Sequence, residues 1–291
     1  MPAATGRVPL TRTARFAWGA VAVILLGVIV LLVYALTGTP VTVQVVHRSP
    51  VAQGTLRALA DIPASSFDTV GISAPGTGLT SPTVRTGQPP LTDDGKTEVL
   101  FVGSEFCPYC AAERWPLVVA LSRFGRFRAL DQTQSSPNAV FPDLQTFTFV
   151  GNRYSSSYVA FTAVELYSNV PAPDGGFTRI ATLSPAQQAL VDRYQTDLGP
   201  AGGAAVRTYP FVDIGNVMTT STAGFSPAVL QQQSQSSMLA GLFDPSGSAA
   251  RATLAAANQL TAGICAATGE LPIPVCTSSG VRAADQALGL G

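Results

Sequence analysis

An α/β fold that presents two thiols where a strand passes into a helix, preceded by one transmembrane helix, is predicted by three features of this 291-residue chain. A run of strand formers, Glu98-Val99-Leu100-Phe101-Val102-Gly103, leads through Ser104-Glu105-Phe106 into Cys107-Pro108-Tyr109-Cys110. Residues 111–127 come next with apolar side chains at Trp115, Leu117, Val118, Leu121 and Phe124, the spacing of an amphipathic helix. Further on, strand-like and helix-like segments alternate up to a short strand opened by Pro210, and near the start residues 17–36 carry no charge.

Twenty uncharged residues at about 1.5 Å rise each match a hydrocarbon core of about 30 Å, so residues 17–36 read as a membrane anchor. Trp18 and Tyr34 lie near its ends, and Arg7, Arg12 and Arg15 precede it, which puts the tail of residues 1–16 in the cytoplasm and the chain beyond residue 36 outside. A cleaved signal peptide is the competing reading; its apolar core would run only roughly 7–15 residues. Residues 37–90, with seven prolines among many Gly, Ser and Thr, read as an extracytoplasmic linker. Within it, residues 55–72 carry Leu56, Leu59, Ile62, Phe67, Val70 and Ile72, enough to dock as a short helix and turn.

The main domain is expected over residues 91–280, with residues 281–291 as a tail. Asp94-Gly95 before a β-rich run predicts a tight turn feeding the strand at Glu98. After the helix come a strand near residues 127–130 and strands at 146–150 and 158–167, the last two expected as an antiparallel pair. Ser184-Pro185 opens a helix with Ser184 as N-cap. Tyr209-Pro210-Phe211-Val212-Asp213-Ile214 is a further short strand, and residues 226–242 and 246–267 read as helices.

A formal net charge of zero argues against nucleic acid as a partner. His47 is the only histidine, so a histidine metal cluster is excluded and no cofactor or metal is expected. The four cysteines, Cys107, Cys110, Cys265 and Cys276, all fall on the oxidising side. Cys107 would sit at a helix N-terminus, where free N–H groups and the helix dipole favour a thiolate. Glu105 opposes that charge and Arg114 favours it. A structural disulfide or half a zinc site are the alternatives for this pair, though ten residues between Cys265 and Cys276 suit a second zinc knuckle poorly. Cys265 and Cys276 read as a structural clasp, or as a relay exchanging with Cys107.

With these residues in place, the chain resembles the thioredoxin superfamily from about residue 91 to residue 276. The phrase Phe101-Val102-Gly103-Ser104-Glu105-Phe106-Cys107-Pro108-Tyr109-Cys110-Ala111-Ala112-Glu113-Arg114-Trp115 resembles a family of membrane-anchored, thioredoxin-like proteins of actinobacteria and archaea that carries a domain-of-unknown-function label. The resemblance implies a thioredoxin-like fold with an inserted β region, expected between Thr146 and Tyr167, and a helical C-terminal part. It implies Cys107 as the attacking thiol, Cys110 as the resolving thiol, Pro108 and Tyr109 as the dipeptide between them, and Pro210, with Tyr209 before it, as a cis-proline facing the pair. Phe101 stands where many thioredoxins keep a buried acid, and Tyr209 is larger than the residue usual there.

These readings lead to an expected thiol–disulfide oxidoreductase in the cell membrane, its domain outside. Its substrates would be cysteine-bearing exported proteins, and a membrane redox partner would exchange electrons with it. The alternative is a non-catalytic binding or assembly domain whose cysteines only clasp.

Overall fold

The computed structural model describes residues 48–173, 175–195 and 208–291, and Val28. The chain divides into two units, Met1–Gln44 and Val45–Gly291, and every described residue except Val28 belongs to the second. The expected anchor at residues 17–36 lies, but for Val28, outside the described residues, as do residues 37–47 of the expected linker. No helix among the described residues is long and apolar enough to cross a membrane.

The fold is mixed α/β. In chain order it runs β1 (Ser49–Pro50), α1 (Gln53–Ala60), α2 (Ala64–Val70), β2 (Thr83–Val84), β3 (Thr92–Asp93), β4 (Lys96–Gly103), α3 (Pro108–Ser122), β5 (Gly125–Gln134), β6 (Gln145–Ser156), β7 (Val159–Glu165), β8 (Tyr167–Pro171) and β9 (Phe177–Arg179). It continues with α4 (Pro185–Gln195), β10 (Phe211–Ile214), β11 (Met218–Thr220), a 3₁₀ turn (Pro227–Leu230), α5 (Gln235–Phe243), α6 (Ser248–Thr268), α7 (Ile273–Cys276) and α8 (Ser279–Leu288).

β4 is the centre of the main sheet. It pairs with β7 in parallel along its whole length after Lys96 and with β10 antiparallel from Val99 to Val102, and β10 continues outward to β11 and β2. Side chains alternate across a strand, so Val99 and Phe101 enter the large core on one face while Leu100 and Val102 enter a smaller one with Val164, Val191 and Phe211. Burial on both faces accounts for the unbroken apolar run in the sequence. The Asp94-Gly95 turn forms as expected: both residues have positive φ, 48° and 71°, and Asp93 pairs with Lys96.

Helix α3 is not amphipathic. Every residue from Cys110 to Ser122 is buried, Glu113, Arg114 and Ser122 included, because α6 covers it on one side and the β5–β6 hairpin on another. The strands expected at 146–150 and 158–167 do not pair with each other. β6 runs on through Gly151 to Ser156 and pairs with β5, whereas β7 joins β4. The polar stretch of residues 151–156 is a strand with one solvated face. The helix expected over residues 226–242 is split, since Gln232 has φ of 64° and Ser234 starts a new helix by a capping box with Ser237. Ser184 and Gln187 cap α4 reciprocally in the same way.

Two expected boundaries are corrected. Residues 49–90 are no free linker from Ser49 onward: β1 pairs with β5, and Leu56, Leu59, Ile62, Phe67 and Val70 lie in the main core. Apolar area removed from water at roughly 25 cal/mol per Å² outweighs the composition bias toward extended chain. Residues 281–291 are no tail. α8 buries Val281 and Ala284, and Gly280 N–H donates to Asp68 Oδ1 at 2.8 Å. Asn258 in α6 ties the same corner by donating to the carbonyls of Phe67 and Gly71.

Cys265 and Cys276 form a disulfide with Cα atoms 5.6 Å apart, joining the end of α6 to α7. Thr97 Oγ1 at the start of β4 donates to Ala267 O, which puts this bridge at the opposite end of β4 from Cys107, roughly 20 Å of strand away. That separation sets the bridge apart from Cys107, as the clasp reading expects.

Phe67→Ala is expected to lower unfolding stability by about 3–5 kcal/mol, read as a lower urea midpoint, because it empties a core position in a segment whose composition suggests a tether. Replacing Cys265 and Cys276 by Ala together is expected to lose roughly 3 kcal/mol of thermal stability and leave the reactivity of Cys107 unchanged.

Candidate functional site

β4 ends at Gly103 because nothing larger fits. A Cβ there would lie 2.5 Å from the Phe101 ring and 3.1 Å from Cys110 Sγ, so glycine lets the strand end pass directly beneath the helix start. The turn then closes with Cys107 N–H donating to Ser104 O at 3.2 Å. Cys107 is the N-cap of α3. Its backbone is extended, Pro108 occupies the first helical turn, and its sulfur accepts the Cys110 N–H at 3.4 Å.

The two thiols differ sharply in setting. Cys107 is partly exposed and Cys110 wholly buried, and both are free thiols. Cys107 is drawn down to about 7, first by the hydrogen bond from the Cys110 thiol, then by the backbone N–H groups of Cys110 and Tyr109 and the charge of Arg114, with burial opposing them. Burial pushes Cys110 well up, and the hydrogen bond to Cys107 and the Cys107 charge act the same way. One sulfur is thus poised to ionise near neutrality and the other to keep its proton.

Beneath them lies a chain of alternating charges. Arg114, fully buried, donates from Nε and Nη2 to the two carboxylate oxygens of Glu165 at 2.9 and 2.7 Å, and from Nη2 to Ser104 O at 2.9 Å. Arg114 Nη1 has no hydrogen-bond partner. Glu105, also buried, is held from above by Arg48, whose Nε and Nη2 reach its two oxygens at 2.6 and 2.9 Å. Glu105, expected from the sequence to oppose a Cys107 thiolate, is paired with Arg48, and its charge also acts on Arg114.

The Tyr209–Pro210 peptide bond is cis, and Tyr209 O lies 3.9 Å from Cys107 Sγ across the site. Thr208 Oγ1 donates to Ser221 O and so fastens this loop to the end of β11. Of the aromatic residues next to the pair in the chain, Tyr109, 39 % exposed, meets Phe141 edge-on, and Phe106 stacks on Phe177 with centroids 4.1 Å apart.

The structure therefore brings together Cys107, Pro108, Tyr109, Cys110, Tyr209 and Pro210, and leaves Cys265 and Cys276 at the far end of β4. Sequence reading missed Arg48, Glu165, Phe141 and Phe177. Their partners lie dozens of residues away, and no local pattern marks them; a buried Arg or Glu in an apolar helix or at a strand end is the only signal, and it asks for an unnamed partner.

No curated protein and no solved structure matches the chain. One family model does, over residues 83–266, a span that takes in β4, the thiol pair, the cis-proline loop and most of α6. With more than half of its length so matched, the chain belongs to the family described as Domain of unknown function (DUF929).

Proposed function

We propose that this chain is a membrane-anchored thiol–disulfide oxidoreductase of thioredoxin-like fold, working outside the cell membrane on cysteines of exported proteins. The observation that carries the reading is the pairing of a reachable, acidified Cys107 with a buried, proton-retaining Cys110 at one helix start, opposite a cis-proline. The order of β4, α3, β7, α4, β10, β11 and α6, with β7 parallel and β10 antiparallel to β4, supports the fold. On that reading the inserted β region is the β5–β6 hairpin: of the strands expected between Thr146 and Tyr167 it includes β6, whereas β7 belongs to the central sheet. The uncharged stretch of residues 17–36 supports the anchor.

The Cys107 thiolate attacks one sulfur of a client disulfide. A bond forms between Cys107 Sγ and that sulfur, the client S–S bond breaks, and the released thiolate takes a proton. Cys110 then gives up its proton and attacks Cys107 Sγ, freeing the second client thiolate and closing a Cys107–Cys110 disulfide. Two electrons have passed from the protein to the client, and the reverse sequence oxidises a client dithiol. Phe101 offers no acid to handle the Cys110 proton. Glu165, bound through both oxygens to Arg114, acts on Cys110 through its charge, which discourages ionisation of that thiol. The aromatic residues next to the pair in the chain supply apolar surface for the client chain.

Alkylation of the reduced protein is expected to modify Cys107 alone, at a rate that rises through pH about 7 as the thiolate forms, with Cys110 reacting only on unfolding. A rate still climbing at the ordinary cysteine value, or two thiols reacting alike, overturns the reading. Cys107→Ser is expected to abolish insulin-disulfide reduction, and Cys110→Ser to accumulate a mixed disulfide with exported proteins; turnover that survives Cys107→Ser refutes the assignment of the attacking thiol.

A further inference from the structure

A cavity of about 350 Å³ that the thiol chemistry does not use opens between the segment around β2, the turn after β11 and α6. Its walls divide by chemistry. Ala256 and Leu260 of α6 give an apolar side, Thr80 and Thr222 give hydroxyls, and Arg85 and Glu113 give charge-bearing groups. Among the described residues Tyr194 is the only other ionisable one lining it, and α6 contributes only uncharged ones.

Arg85 is oriented, and its charge acts on the buried Asp213 of β10 without an ion pair between them. Its Nε donates to Thr219 Oγ1 at 2.9 Å and its guanidinium lies 4.7 Å from the centre of the Tyr194 ring, while no carboxylate among the described residues forms an ion pair with it. Glu113 is buried in α3, and its Oε2 accepts the Gly224 N–H at 2.7 Å. Burial pushes its carboxyl up to about 8, against the pull of that N–H, so near neutral pH it is an uncharged group with an O–H to donate. Thr220 and Gln259, which also line the cavity, each keep a buried side-chain oxygen without a partner.

A space with a guanidinium in no ion pair, several hydroxyls and a neutral acid offers a positive charge and hydroxyl donors, while Gln259 Oε1 adds an open acceptor. We propose that this cavity is a binding site for a small amphipathic carboxylate, its charged end on Arg85 and the neighbouring hydroxyls and its apolar end against Ala256 and Leu260. The planar fork of arginine matches a carboxylate, and the volume falls in the range of roughly 300–1,000 Å³ that small-molecule sites occupy. An organic cation would meet the charge of Arg85 inside the cavity, whereas Asp213, on which that charge also acts, does not line it. The carboxylate belongs either to a free organic acid or to the C-terminus of a peptide. The site does not depend on the redox reading, since neither cysteine of the thiol pair lines it.

The test is calorimetric titration of the full chain in detergent with phenylacetate, and with a short peptide ending in leucine as the free acid and as the amide. Phenylacetate is expected to bind saturably at neutral pH, and Arg85→Gln to weaken it by at least about tenfold. Ionisation of Glu113 above pH about 8 sets two negative charges in one cavity, so affinity falls there, and Glu113→Gln keeps the binding while removing the alkaline decline. Peptide acid binding where the amide fails assigns the site to chain termini; phenylacetate binding alone assigns it to free acids. Leu260→Trp, which fills the space without altering charge, abolishes either, with circular dichroism verifying that each variant is folded. Absence of saturable binding by both acids, equal binding of acid and amide peptides, or full affinity in Arg85→Gln overturns the proposal.

Discussion

Arg114 holds Glu165 at the end of β7 by two hydrogen bonds and the Ser104 carbonyl by a third, and so fastens helix, parallel strand and connecting turn at one buried point. All three elements meet where Cys107 is presented. Removing one partner of a buried ion pair leaves an uncompensated charge and typically loses about 3–5 kcal/mol, so the arrangement is held as a unit rather than contact by contact. The pair also acts on the electrostatics, because the Arg114 charge favours the Cys107 thiolate while Glu165 discourages ionisation of Cys110. The larger part of the difference comes from the hydrogen bond between the two thiols and from the burial of Cys110, to which the pair adds its charges.

The parts of the fold legible in the sequence are those written in short-range chemistry. The doubly buried strand at Val99–Val102, the Asp94-Gly95 turn, the N-capping Cys107 with Pro108 after it, and the Ser184 cap each arise from residues within a few positions of one another. Pro210 was legible only by resemblance. The pairing of β6 was not, since a polar run such as residues 151–156 reads as a loop until a partner strand is known, and that partner, β5, is itself recognisable only in part. Arg48 and Glu165 belong to the same class: each is defined by a contact with a residue more than fifty positions away.

The boundary errors have a common origin. Pro50 and Pro63 contributed to the tether reading, yet Pro50 lies in an edge strand and Pro63 is the N-cap of α2, places where a missing N–H is harmless. Proline there punctuates structure instead of preventing it. At the other end, Val281, Ala284 and Leu288 recur at spacings of three and four, a helical stripe that brevity hid. Both segments converge on Phe67, Asn258 and Gly280, so the two ends of the described fold complete one corner of the core together.

Of the four cysteine sulfurs, two are closed upon each other at the remote end of β4 and a third is buried, which leaves Cys107 as the one partly exposed free thiol. The molecule is in that sense univalent. Under the proposed function a mixed disulfide would be a one-to-one adduct, because no second free and exposed cysteine is there to stitch several chains into a network.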